Sequence, residues 1–204
     1  LLSQVPPGFT RKIKWPKKQL FYNVETLVFG NAIFRAKFPE RLIIGYDQKE
    51  NINKTKIYKY LKSFKVPIIS MSYESAEITK ISINLILISN ITVANEIGII
   101  CEKINASWND VYQALILDKR IGKYAYIKNG LGLSGGNLER DLYNSIEICK
   151  KNSLKNDFFN SMLNSSKINK KWALNKFKFI SKFLPKNSKI GILGSLLQRK
   201  YKFY

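Results

Sequence analysis

Residues Ser75 to Lys103, SAEITKISINLILISNITVANEIGIICEK, constrain this chain more than any other stretch. The run reads as one long, mostly buried helix carrying Lys80 and Asn84, which stand four apart and so share a face. At about 1.5 Å per residue such a helix spans roughly 40 Å, enough to cross a small domain. It is apolar enough to raise the question of a membrane span. Lys80, Asn84, Asn90, Asn95 and Glu96 interrupt it, however, and no uncharged stretch reaches the roughly 18 to 20 residues a span needs. A helix apolar nearly all round needs neighbours on most sides, here the following helices and a second subunit.

Residues 1 to 70 read as short α/β units. Leu1 to Val5 reads as the end of a buried strand broken by Pro6-Pro7-Gly8, and Gln19 to Val24 and Arg41 to Gly45 read as two more strands. A helix over Lys54 to Phe64 then precedes the apolar VPIIS. Strands alternating with helices predict a parallel sheet. No Gly-rich phosphate loop comes before them, so half of a doubly wound sheet is expected to be missing on the N-terminal side. After the long run, Ser107 opens a helix to Leu115 as its N-cap, Arg140 to Lys150 forms another, and Asp157 to Leu184 forms one or two. Lys189 to Gly194 (KIGILG) reads as an apolar strand ending in glycine, the opening of a further α/β domain that is only begun.

With 204 residues, 45% hydrophobic and 13% aromatic, the chain has ample material for a core. The net charge of +21 first suggests nucleic acid or an anionic surface as partner. Yet the lysines are scattered with no block longer than two, and Lys, Ile and Asn are abundant together, as in an AT-rich coding sequence. A small anionic ligand would benefit from the same field. There is no histidine, and Cys101 and Cys149 have no metal spacing, which excludes zinc ligation and Ser-His or Cys-His pairs. The expected setting is cytoplasmic and reducing. LLSQVPPGFTRK lacks the pattern of a signal peptide, and with no initiator Met the chain is expected to begin mid-protein.

Three features could carry chemistry. Gly130, Gly132 and Gly135 satisfy G-x-G-x-x-G, but no clear strand precedes them and no ribose-binding acid follows about 20 residues on. Either this is a plain glycine loop or its backbone closes over a ligand. Lys80 and Asn84 inside an apolar helix need partners. They either meet a buried carboxylate for structure alone, or Lys80 holds a developing alkoxide or shares its proton with water. Glu25 and Asp141 are the nearest carboxylate candidates.

The order of these segments resembles the UDP-glucose/GDP-mannose dehydrogenase family. SQVPPGFTR resembles its S-T-V-P-x-G-T, NVETLVFGNA its N-P-E-F-L-x-E-G-x-A, and FPERLIIG its N-P-D-R-I-V-I-G. The long run resembles A-E-x-x-K-x-x-x-N through N-E-x-x-x-x-C-E, while LDKRIG and GLGLSGGNLERD resemble D-x-R-I-G and G-x-G-F-G-G-S-C-x-x-K-D. The family oxidises C6 of a nucleotide sugar twice with NAD, the second time through a cysteine thioester. The resemblance therefore implies an α/β remnant of a Rossmann-like NAD domain over 1–72. An all-α central dimerisation domain with one long buried helix would occupy 73–170, and 171–204 would hold a linker helix and the first strand of a C-terminal α/β domain. A homodimer through the central helix and a UDP-sugar substrate are implied, with no nucleic acid, membrane or metal.

By position, the resemblance makes Glu25 the acid that handles water, with Lys80 and Asn84 stabilising the C6 oxyanion beside Asp141. Tyr126 and the backbone of Lys128, Asn129, Gly130, Gly132 and Leu133 would close over the UDP-sugar, and Arg120 would reach the partner subunit's site. Ser3, Gln4 and Phe29 would lie near the cofactor. The departures are specific: Asn137 stands at the nucleophile position and cannot form a thioester, Phe29 replaces a glutamate, and Gln4 replaces a threonine. The chain alone is expected to bind NAD poorly and to turn over little.

Overall fold

The computed structural model describes residues 1–28, 30–134, 136–185, 187–189 and 191. In chain order the elements are α1 (Phe9–Lys12), β1 (Tyr22–Asn23), α2 (Ala32–Lys37), β2 (Leu42–Tyr46), α3 (Lys56–Lys62) and β3 (Ile68–Ser72). They continue with α4 (Tyr73–Ile104), α5 (Trp108–Leu117), α6 (Gly136–Lys151), α7 (Asp157–Lys170) and α8 (Trp172–Ile180). A small sheet thus precedes a helical region built around α4.

The sheet has the order β1-β2-β3. β2 and β3 run parallel, with Leu42 opposite Ile68 and Tyr46 opposite Ser72. β1 runs antiparallel to β2, with Tyr22 opposite Gly45, which corrects the expectation of a wholly parallel sheet. The reason lies in the connection. A parallel crossover needs a helix packed on the sheet, and α2 between β1 and β2 has six residues and none buried. Leu1 to Val5 is likewise no full strand. Leu1 donates to Phe21 O at 2.6 Å and accepts from Asn23 N at 2.9 Å, a single parallel-type pairing, while Leu2 stays 66% exposed.

Helix α4 begins where β3 ends, with Ser72 Oγ accepting from the Ser75 amide at 3.2 Å. Its first turns lie on the sheet so closely that a Cβ added at Gly45 would stand 2.8 Å from that of Ala76. There Tyr73 and Ala76 pack with Leu20, Tyr22, Val24 and Ile43. Further along, Ile88 joins Leu133, Leu142, Ile146, Met162 and Leu163, so α4 is also the spine against which α6 and α7 pack. The helix closes at Asn105, which takes the left-handed conformation (φ 58°) that a short polar side chain tolerates.

The expectation of a mostly buried helix holds for one face only. Ala76, Glu77, Ile81, Asn84, Ile88, Asn95, Gly98 and Cys101 are buried, while Ile86, Val93, Ile100 and Ile104 on the other side are more than half exposed. With 32 residues and a peak mean hydropathy of 1.6, α4 is long and apolar enough to cross a membrane by length and composition alone. Its buried side is nevertheless engaged by protein along its length. The helical stretch after Asp157 divides into α7 and α8 at Lys171. The predicted strand over Lys189 to Gly194 lies largely outside the described residues.

Candidate functional site

Helices α4 and α6 meet around Asp141, which has no exposed surface. A carboxylate in such a place is costly unless donors replace its water. Asn84 Nδ2 supplies one at 2.5 Å, Gln4 Nε2 supplies another, and the Arg140 guanidinium stands 3.8 Å away. Arg140 also donates to Gln4 Oε1 and, at 3.1 Å, to Asn137 Oδ1. Gln4 therefore bridges Asp141 and Arg140 with the two halves of one amide. The partner that Asn84 required is a buried carboxylate, supplied one helix away.

Glu77 is the second carboxylate with no exposed surface. It accepts from the amides of Gly8 at 2.5 Å and Thr10 at 2.7 Å, so it pins the turn that follows Ser3 and Gln4 onto α4. Sequence reasoning missed this residue. Its signal was present: an acid inside the apolar run, three residues before Lys80 and hence on nearly the same face.

In front of this polar node lies a cleft of about 170 Å³, lined by Ser3, Gln4, Tyr22, Glu25, Leu27, Lys80 and Asn137. The phenol of Tyr22 at its base is pushed up to about 12, first by burial and then by the negative charges of Glu77 and Asp141. Five residues singled out from sequence, Ser3, Gln4, Glu25, Lys80 and Asn137, thus share one cleft, with Asn84 and Asp141 directly behind it. An ammonium, a carboxylate and an amide around one small opening can hold an oxygen that gains charge and pass a proton to it or to water. No thiol lines the cleft. Cys101 and Cys149 are both free and buried, on α4 and α6.

The remaining candidates do not gather here. Tyr126 and Lys128 line a separate cleft with Ile91, Tyr112, Gly130 and Gly132. The loop expected to close over a ligand spends two of its amides on the protein itself. Gly130 N donates to Asn95 Oδ1 at 2.7 Å, Leu133 N donates to Ser166 Oγ at 2.9 Å, and the Leu133 side chain is buried. Gly132 is glycine for a structural reason, since φ is +86° and a Cβ would stand 2.7 Å from the Ser166 carbonyl oxygen. Asn129 packs against Gly98 of α4. Arg120 is held by Asp118 through Nη2 at 2.6 Å and Nε at 3.0 Å, which raises the guanidinium and lowers the carboxylate. Phe29 lies outside the described residues.

A dinucleotide does not fit what is present. Gly130 and Gly132 belong to a loop bonded to α4 and α7, and no strand-to-helix glycine turn offers free amides for a pyrophosphate among the described residues. Among those residues no group of three His, Cys, Asp or Glu side chains is placed to hold a metal ion.

Residues 74–170 match the UDP-glucose/GDP-mannose dehydrogenase family, central domain. Over 199 residues the chain is 29% identical to the UDP-glucose 6-dehydrogenase of Rickettsia bellii, covering 94% of this chain and 46% of that protein. It is 27% identical over 191 residues to UDP-glucose 6-dehydrogenase 3 of Arabidopsis thaliana, covering 91% of this chain and 40% of the plant protein. A UDP-glucose dehydrogenase structure from Pyrobaculum islandicum superposes with a TM-score of 0.69 at 25% identity, over 81% of this chain and 40% of its own. The chain thus spans less than half the length of these relatives.

Proposed function

The chain belongs to the UDP-glucose/GDP-mannose dehydrogenase family through its central domain at residues 74–170, and from that premise we propose that it supplies the sugar-oxidising half of a cytoplasmic, NAD-dependent UDP-sugar dehydrogenase that oxidises C6 for polysaccharide precursor synthesis, with its second oxidation impaired by Asn137. The observation that carries the proposal is the convergence of Glu25, Lys80 and Asn137 on one cleft backed by Asn84 and the buried Asp141. In this reading residues 1–72 are the end of the NAD-binding domain, 73–170 the dimerising centre, and 171–204 a linker and the start of the UDP-binding domain. NAD, which would accept the hydride, has no cradle among the described residues. The rest of the nucleotide-binding sheet would have to provide it.

The chain's own residues then divide the work at C6. Lys80 lies in the cleft wall, where its ammonium stabilises an alkoxide forming on the sugar and can take up or release its proton. Asp141 holds Asn84 by a short hydrogen bond, so that residue keeps its place one turn beyond Lys80. Glu25 lines the same cleft and can orient a water there. Asn137 has no thiol, so the covalent second oxidation is closed at that position. Tyr126 and Arg120 act from outside this cleft, the latter in a partner's site across the dimer.

The test is a chimera in which this chain replaces the matching segment of a complete relative, with NADH formation measured on UDP-glucose and other UDP-sugars. Reduction that disappears in Lys80→Ala supports the proposal. No reduction with any nucleotide sugar removes it. Asn137→Cys in the active chimera should raise acid formation relative to aldehyde, and equal acid from both forms would show that another route performs the second step.

A further inference from the structure

We infer that Arg140 orients the Asn137 side chain so that its NH2 group faces the cleft beside Lys80, making a two-donor cradle for the carboxylate of a nucleotide-sugar acid. The inference rests on the proposed reading of the cleft as the C6 end of a nucleotide-sugar site. It adds what that end prefers to hold once no nucleophile stands there.

The argument is one of hydrogen-bond inventory. A guanidinium only donates, so the Asn137 atom that meets Arg140 Nη2 at 3.1 Å must be the carbonyl oxygen. Asn137 Nδ2 has no protein partner among the described residues, and Asn137 lines the cleft. Arg140 cannot easily turn away, because it also donates to Gln4 Oε1 and stands 3.8 Å from Asp141. Gln4 in turn is held by Asp141. The amide is thus fixed from behind by a chain of three residues reaching back to a carboxylate with no exposed surface.

On the cleft side the Asn137 NH2 and the Lys80 ammonium can both donate to an anion, with the Ser3 and Tyr22 hydroxyls in the same lining. Asn137 sits in the first turn of the sixteen-residue α6, where the helix dipole favours negative charge. A primary alcohol uses one such donor, whereas a carboxylate uses two and gains charge assistance from Lys80. Glu25 also lines the cleft and opposes an anion. Asp141 is already covered by Asn84, Gln4 and Arg140. The expected preference is therefore about tenfold and no larger.

Arg140 is a positioning residue in this scheme, acting through Asn137. The experiment is calorimetric titration of the chimera that carries this chain in a full-length relative, with two probes that differ only at C6, UDP-glucuronate and UDP-glucose. The acid should bind about tenfold tighter. Asn137→Asp keeps the shape and suits a helix first turn but turns an acceptor toward the cleft, so it should abolish or invert the preference. Arg140→Met should lower the ratio severalfold, and Arg140→Lys, which still donates to Oδ1, should restore most of it. Equal affinity for both probes, or a preference that survives Asn137→Asp, overturns the cradle while leaving the site reading standing. If neither probe binds the folded chimera, the site reading falls and the cradle with it.

Discussion

The two long faces of α4 differ in what they carry. The inward face carries Glu77, Asn84 and Asn95, all buried and all hydrogen-bonded, whereas the outward face carries Ile86, Val93, Ile100 and Ile104 in the open. Polar groups are kept inside only where something must be positioned, since each needs a partner to be tolerated. Apolar groups left outside at a seven-residue repeat, Ile86, Val93 and Ile100, form a stripe that suits a second helix. The inward face therefore reads as a site, and we propose that the outward face is the seam of a dimer.

Substitutions can break this contrast in a ranked way. The largest effect is expected from Leu142→Ala. Leu142 has no exposed surface and packs with Ile88 under the polar node, so truncation should cost about 3–5 kcal/mol in urea-induced unfolding. A cost below about 1 kcal/mol would mean that the inner face is loosely packed. Glu77→Gln comes next. It replaces one of two acceptor oxygens facing the amides of Gly8 and Thr10, and should cost about 2 kcal/mol by the same measurement. Amide exchange at Gly8 and Thr10 should quicken most, and uniform quickening would contradict a local pin.

The third effect is one of pH. Tyr22 is nearly inaccessible, and its phenol is raised from 10 to about 12 by burial and by Glu77 and Asp141. The unfolded chain loses this proton at the lower pH, so the stability Tyr22 contributes is complete below pH 10 and fades as pH rises toward 12. Tyr22→Phe should flatten that alkaline decline, as followed by thermal unfolding between those limits. An unchanged slope would assign the decline to other groups. The smallest effect on the fold is expected from Val93→Lys with Ile100→Lys. Monomer stability should stay within about 0.5 kcal/mol, since both positions face outward. Sedimentation should nevertheless show the dimer gone. A wild-type chain that sediments as a monomer would remove the seam.

Much of this contrast was legible in the residues. The length of the apolar run predicted α4, and the four-residue spacing of Lys80 and Asn84 placed both on one face, though not that the opposite face stays exposed. Ordered short motifs located Glu25, Asn137 and Asp141, although they lie far apart in the chain. What stayed hidden depends on tertiary pairing. Periodicity cannot reveal that β1 runs antiparallel, because that direction is decided by an α2 too short to form a crossover. Gln4 looked like a departure near a cofactor, and only the fold shows it bridging Asp141 and Arg140. The glycine pattern left a plain loop and a ligand loop open, and the fold shows Asn95 and Ser166 taking the amides of Gly130 and Leu133. Glu77 was overlooked because an acid in a helix is usually a surface charge.

Cys101 and Cys149 are buried on α4 and α6, away from the cleft that Asn137 lines. Both should react with an alkylating reagent chiefly when the helices part. A reagent such as iodoacetamide that silences this chain would therefore be timing its opening, and its rate would serve as a clock for unfolding instead of a count of active sites.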